Sequence, residues 1–259
     1  MKPLSDLTAN DIKDIKVVCF DVDGVTIKRG TKIIDKGNEQ IMRTIPLEEH
    51  LLKKLLRLKK YFHITINSGR SSFYLVKVFQ DILWENASLI SENGIFLLYD
   101  GKLHQNFVFT DYELSVLSNI TKRLQKLAKE DDRADGFEYK MFLLVLHCNK
   151  ELPEVAKIVQ EEDNKGEFYC WWNGEAYDIC PKRFNKGVGL KRLCELLGFT
   201  EENAMSIGNG INDKDMTDIA KIGITTDKVH LQSDYFIDGE HLGGEYLIDK
   251  LLELKENSS

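Results

Sequence analysis

No apolar run in the 259 residues approaches the ~18 consecutive apolar positions that a membrane-spanning helix requires. Met1 to Asp14 is polar and acidic where a signal peptide would be basic and then apolar, so a soluble, cytoplasmic chain without a membrane partner is expected. A C-x-x-C pair is also missing. Cys19, Cys148, Cys170, Cys180 and Cys194 are odd in number and irregular in spacing, which suggests neither a disulfide framework nor a zinc site and leaves reduced core thiols. The six histidines include no H-E-x-x-H, and none stands beside a candidate catalytic serine, so zinc-protease and serine-triad chemistries lack support. His63 and His147, each inside an apolar run, read as core residues. Basic excess is absent as well: the net charge is -7, and the lysines between Lys53 and Lys60 alternate with leucines as on a solvated helix face. Nucleic acid is therefore not an expected partner. Internal repeats are lacking, and the only low-complexity stretch is the polar tail Glu256 to Ser259, expected to fray.

With 42% apolar and 30% charged residues, the chain can bury a core in one large domain or two small ones. Ile15 to Phe20 is a short β-rich run that ends abruptly in Asp21-Val22-Asp23-Gly24, the pattern of a buried strand entering a polar loop. Similar runs at 62–67, 88–91, 204–207, 222–225 and 235–237 predict further strands. Amphipathic segments at 48–61, 72–83, 186–197 and 213–220 predict helices between them, with leucines at 51, 52, 55 and 58 marking one face. Such alternation argues an α/β fold, a doubly wound parallel sheet covered by helices on both sides. The middle breaks the rhythm: helix 113–130, strand 138–147, helix 153–162 and a hairpin turning at Asn173-Gly174 predict a separate α+β unit. The expected organisation is a core of residues 1–105 and 183–259 with an α+β domain inserted at 106–182.

Four segments follow or precede these strands and helices where α/β sheets bind ligands. In Asp21-Val22-Asp23-Gly24, two carboxylates where the strand loosens can converge on one magnesium and one phosphate, although a lone D-x-D-G is also common in turns. Asn67-Ser68-Gly69-Arg70 offers a hydroxyl and free N-H groups before a helix, the makings of a phosphate site; the plainer alternative is an ordinary N-cap at Ser68 or Ser71. Lys186 enters the next helix, and alone it is one more surface lysine. Gly208-Asn209-Gly210-Ile211-Asn212-Asp213-Lys214-Asp215 delivers a dense set of oxygen ligands after an apolar strand, and reads as a metal or phosphate loop over a merely structural one.

In this order, FDVDG, INSGR, NKG and IGNGINDKDM resemble the four signature motifs of the haloacid dehalogenase superfamily, from Phe20 to Met216. The long insert between Ser68 and Lys186 is similar to the type II, or C2, cap arrangement, and its pattern looks like the Cof-like and sugar-phosphatase branch. Ser233-Asp234-Tyr235 and a last leucine-rich helix resemble the end of that branch. The resemblance implies a Mg2+-dependent phosphatase of a small phosphorylated metabolite, such as a sugar phosphate. Asp21 would be the nucleophile that forms an aspartyl-phosphate, and Asp23 the acid and base. Ser68, Gly69, Lys186 and Asn212 would hold the phosphate, and Asp21, Asp23, Asn209 and Asp213 the metal. A phosphosugar mutase and a non-catalytic ligand-binding descendant are the alternatives, and a monomer or homodimer is expected. Two positions depart from the pattern. Val25 stands where Thr is usual, with Thr26 following, and Asn209 replaces the usual Asp, removing one negative charge from the metal site.

Overall fold

The computed structural model describes residues 1–35, 39–239 and 242–257. The first strands are β1 (Lys2–Pro3), β2 (Val17–Phe20), β3 (Lys32–Asp35), β4 (Gln40–Arg43), β5 (His63–Asn67), β6 (Ala87–Ser91), β7 (Phe96–Tyr99) and β8 (Lys102–Gln105). They are followed by β9 (Ala134–Glu138), β10 (Leu144–Cys148), β11 (Phe168–Trp172), β12 (Ala176–Pro181), β13 (Ala204–Gly208), β14 (Ile222–Thr225) and β15 (Tyr235–Phe236). The helices are α1 (Glu49–Leu58), α2 (Ser72–Phe79), α3 (Asp111–Glu130), α4 (Pro153–Glu162), α5 (Lys186–Leu196), α6 (Lys214–Ile219) and α7 (Gly243–Glu256). No helix among the described residues is long and apolar enough to cross a membrane.

Two compact units emerge. One comprises Met1–Gly30, Ile45–Asn106 and Asn185–Ser259; the other comprises Thr31–Thr44 and Phe107–Phe184. The first is built on a nine-stranded sheet in the order β1-β15-β14-β13-β2-β5-β6-β7-β8. Its pairings are parallel from β1 to β6, and antiparallel from β6 through β7 to β8. All four residues of β2 and all five of β5 are buried, as strands covered on both faces must be. Val17 and Cys19 of β2 share a core cluster with Leu190, Leu193 and Cys194 of α5 and Met216 of α6. Each leucine buried there contributes about 1.5–3 kcal/mol relative to exposure. From β2 the chain moves outward through β5 to β6, and later returns at β13 to move the other way, through β14 to β15. The order therefore reverses between β2 and β13, and the crevice beyond their carboxyl ends is the ligand-binding position of such sheets.

The second unit has an antiparallel sheet in the order β11-β12-β10-β9 and a β3-β4 hairpin. Asn173-Gly174 turns β11 into β12, with Gly174 at φ +95°. Helix α3 starts in a capping box between Thr110 and Glu113, and Arg183 grips the Glu113 carboxylate at 2.6 Å. Tyr177 is buried, with its hydroxyl accepting the Leu152 N-H at 2.9 Å, while Trp171 and Trp172 are half-buried.

Most expected elements occur within a few residues of their expected ends. The strand expected over 138–147 is instead two, β9 and β10, paired antiparallel with Glu138 opposite Val145. The chain reverses between them, with Tyr139 and Met141 exposed. The hairpins β3-β4 and β7-β8 were not expected. Residues 31–44 sit with the second unit, whereas the sequence reading kept them in the first. Helix α7 runs to Glu256, inside the tail expected to fray; Ser258 and Ser259 lie outside the described residues. His63 is a core residue, 3.0 Å from the Ser88 hydroxyl, and burial lowers its pKa to about 4.

Candidate active site

Asp21 follows the last residue of β2, and its N-H donates to the Ile207 carbonyl of β13, which holds it at the crevice. The chain then turns sharply. Thr26 Oγ1 donates to the carbonyls of Asp21 (3.0 Å) and Val22 (3.3 Å), so the shifted threonine still ties the loop together. Lys186, first residue of α5, is 1% exposed and has both carboxylates of the crevice in reach: Asp21 Oδ1 at 2.6 Å and Asp213 Oδ1 at 2.5 Å. The α5 N-cap, Asn185, accepts the Val188 N-H at 2.9 Å, and Asn67 Nδ2 donates to the Lys186 carbonyl at 2.9 Å. Lys186 is thus a buried site residue, and the surface-lysine alternative does not hold.

The electrostatics follow from that burial. Two carboxylates and one ammonium leave one negative charge in excess. Burial, and then the charge of Asp213, raise the Asp21 carboxyl to about 7 against the opposing pull of Lys186. Burial alone would lower the pKa of Lys186, but the carboxylates of Asp21 and Asp213 overcome it and hold the ammonium above the ordinary lysine range.

Asp213 holds its own loop. Its Oδ2 accepts the N-H groups of Asn209 (2.8 Å) and Gly210 (3.0 Å), and a Cβ at position 208 would lie 2.3 Å from the Asp213 Cβ, so only glycine fits there. With Oδ1 on Lys186 and Oδ2 on the loop N-H groups, Asp213 positions Lys186 and the loop. Asp215 is exposed on α6, and Asn212 is half-buried with its Oδ1 beside Gly210.

Ser68 is buried after β5, and its Oγ accepts the Arg70 N-H at 3.2 Å. The cap of α2 is Ser71, which accepts the Tyr74 N-H at 3.3 Å; Ser68 is therefore not the N-cap. Gly69 is half-buried beside it. Two residues missed in the sequence complete the site. Arg70 grips the Asp23 carboxylate in two places, Nε to Oδ2 at 3.0 Å and Nη2 to Oδ1 at 3.2 Å, and lies over the Tyr74 ring at 5.1 Å. Arg29 reaches Asn209, with Nη2 donating to Oδ1 at 3.4 Å. Arg70 stood in the quoted INSGR motif; nothing local distinguished Arg29.

The profile of the family described as haloacid dehalogenase-like hydrolase matches residues 112–230, a segment that includes Lys186, Asn209 and Asp213. A phosphoglycolate phosphatase of Methanopyrus kandleri is 31% identical over 172 residues, 64% of this chain and 72% of the relative. Another, of Metallosphaera sedula, is 25% identical over 215 residues, 82% of this chain and 84% of the relative. The chain belongs to the haloacid dehalogenase-like hydrolases. It is an enzyme, a phosphoric monoester hydrolase by class. The C-terminal domain of the C. albicans trehalose-6-phosphate phosphatase superposes with a TM-score of 0.68 over 96% of this chain and 95% of that one, at 16% identity, and so shares the fold.

Haloacid dehalogenase-like hydrolases generally use Mg2+, and the donors here can be tested against that ion. Among the described residues no group of three or more His, Cys, Asp or Glu side chains is arranged to hold a metal. The available oxygens are the Asp21 carboxylate, the Asp23 backbone carbonyl and the Asn209 amide. They suit a hard cation that keeps most of its waters and takes few protein ligands. One detail is out of place, since Asn209 turns its NH2 to the Asp23 carbonyl, at 2.9 Å. Turning the amide over presents oxygen instead, so the set fits the ion with that single rotation.

Proposed function

We propose that this hydrolase is a Mg2+-dependent phosphatase of a small phosphorylated metabolite, a sugar phosphate or related phosphomonoester, acting in the cytoplasm through an aspartyl-phosphate. The observation that carries the reading is Lys186 bridging the buried Asp21 and Asp213 at the point where the strand order reverses. Asp21 attacks phosphorus, the bond to the leaving oxygen breaks, and Asp23 gives that oxygen a proton. Asp23 then takes a proton from water, the water oxygen bonds to phosphorus, and the bond to Asp21 breaks. Lys186 offsets the charge of the nucleophile as a dianion approaches, with Ser68 Oγ, the Gly69 N-H and Asn212 holding phosphoryl oxygens. Asp21, the Asp23 carbonyl and Asn209 would hold the ion, which supplies positive charge to carboxylate and phosphate together.

The second unit is read as a C2-type cap that selects the leaving group. Relatives and neighbours named for phosphoglycolate and for trehalose-6-phosphate support a phosphomonoester and narrow it no further. Phosphate release from a panel of sugar phosphates, phosphoglycolate and nucleotides, with MgCl2 and with EDTA, tests the reading. Release that needs magnesium, with an acid-quenched, hydroxylamine-sensitive phosphoenzyme, is expected; release without any phosphoenzyme would replace Asp21 by direct attack of water.

A further inference from the structure

Arg29 lies in the exposed stretch after the Asp23 turn, and a lone surface arginine would carry no argument. Its placement is specific, however. Nη2 donates to Asn209 Oδ1 at 3.4 Å, across 180 positions of sequence. Gly24, at φ +85°, lies under both partners: a Cβ there would meet Asn209 Nδ2 at 2.7 Å and Arg29 Nε at 3.2 Å. A directed chain results, in which Arg29 donates to the Asn209 oxygen and the Asn209 NH2 donates to the Asp23 carbonyl.

A side-chain amide has one accepting end and one donating end, and its orientation is read from its neighbours. Here a cationic donor stands on one side and a carbonyl acceptor on the other, so both ends are satisfied in one orientation. The reverse would set NH2 against guanidinium and oxygen against oxygen. The orientation that Arg29 favours keeps the Asn209 oxygen away from the Asp23 carbonyl, where a cation would need it.

We propose that Arg29 competes with the divalent cation for the side-chain oxygen of Asn209, so that the resting site carries a cation of its own and admits metal only by displacing it. The inference rests on the Mg2+ reading above. With an aspartate at 209 no amide would have to turn; with asparagine, guanidinium and metal require the same oxygen in opposite orientations. Displacement is feasible because Arg29 is exposed and can swing into water. Substrate-free magnesium affinity is thereby held low, while a bound phosphate, adding negative charge beside the metal, tips the competition toward the ion.

The test is calorimetric titration of the full-length, substrate-free protein with MgCl2, for wild type and Arg29→Ala, alongside the 15N-1H signals of the Asn209 side-chain amide. Arg29→Ala should bind magnesium about three- to tenfold more tightly at low ionic strength, as loss of one solvent-screened competing charge allows. Its metal-free Asn209 amide signals should shift as the guanidinium leaves. Equal or weaker affinity in Arg29→Ala, or no magnesium binding by either protein, overturns the competition. If phosphate release still requires magnesium while the affinities are equal, only the competition fails; release indifferent to magnesium removes the metal reading itself.

Discussion

Lys186 Nζ lies 2.6 Å from Asp21 Oδ1, although 165 positions separate the two residues. Both are buried, and the same ammonium reaches Asp213, so one cation serves two buried carboxylates. Breaking a buried ion pair from one side leaves its partners charged and unpaired, at a cost of about 3–5 kcal/mol. Lys186→Met should therefore lose about that much stability at pH 8, measured by urea unfolding. The loss should shrink toward pH 5, where the stranded carboxylates can take up protons. A loss under ~1 kcal/mol at pH 8 would mean that the pair contributes little.

Asp21→Asn separates chemistry from stability. Burial and the charge of Asp213 raise the Asp21 carboxyl above its ordinary range, so the folded chain keeps a proton there to higher pH than an unfolded carboxyl, which releases it near pH 4. Stability from this group is full below the unfolded value and is lost as pH rises through the folded one. The metal-free variant should thus melt above wild type at pH 8 by about 2 °C or more, with a smaller gap at pH 5. Phosphate release should fall on the order of a thousandfold or more. A variant that melts alike at both pH values would show that Asp21 is not proton-linked to folding.

The core of this arrangement was legible because its polar residues interrupt apolar strands. Asp21 ends the VVCF strand, Asn67 ends HITIN and Asn209 follows AMSIG, and a parallel sheet must bring such ends to one edge. The β7-β8 hairpin was legible and overlooked: Asp100-Gly101, both at positive φ, is a strong turn signal between FLLY and KLHQ. Arg29 could not be read from the sequence. Its neighbours are ordinary surface residues, and only the folding of Gly24 beneath Asn209 gives it a partner. Nor could the bonds of Asp213 be read, because its two oxygens find Lys186 and backbone N-H groups only once the loop closes.

The paired contacts between Arg70 and Asp23 predict coupling. Lysine keeps the charge but not the planar fork, so Arg70→Lys should lower kcat by about tenfold or more through misplacement of the Asp23 carboxylate. Asp23→Asn removes the acid and base itself, at a typical cost of about 10²–10⁴. If Arg70 acts through Asp23, the double variant should be little worse than Asp23→Asn alone, because the effects of residues acting as a unit do not add. Additive losses in kcat would assign Arg70 a separate contact, with the phosphate as the first candidate.

Asn209→Asp should reverse the metal dependence of stability. In the wild type the Asn209 NH2 donates to the Asp23 carbonyl at 2.9 Å, a bond that holds the metal-free loop closed. Aspartate cannot donate it. The bond itself is worth about 0.5–1.5 kcal/mol and an oxygen facing the carbonyl adds repulsion, while the exposed Arg29 beside the new carboxylate returns under about 1 kcal/mol, so in EDTA the variant should melt below wild type by about 1–3 °C. With a cation present the sign changes, because two oxygens facing one another are a ligand pair and the added negative charge strengthens the attraction. Magnesium should therefore raise the melting temperature of Asn209→Asp more than that of wild type, by linkage to its tighter binding. Thermal melts in EDTA and across a MgCl2 series read both arms. A variant that melts lower in EDTA but gains no more from magnesium than wild type would show that residue 209 ties the loop without touching the ion. A variant unchanged in EDTA would show that the amide bond to the Asp23 carbonyl does not hold the resting site.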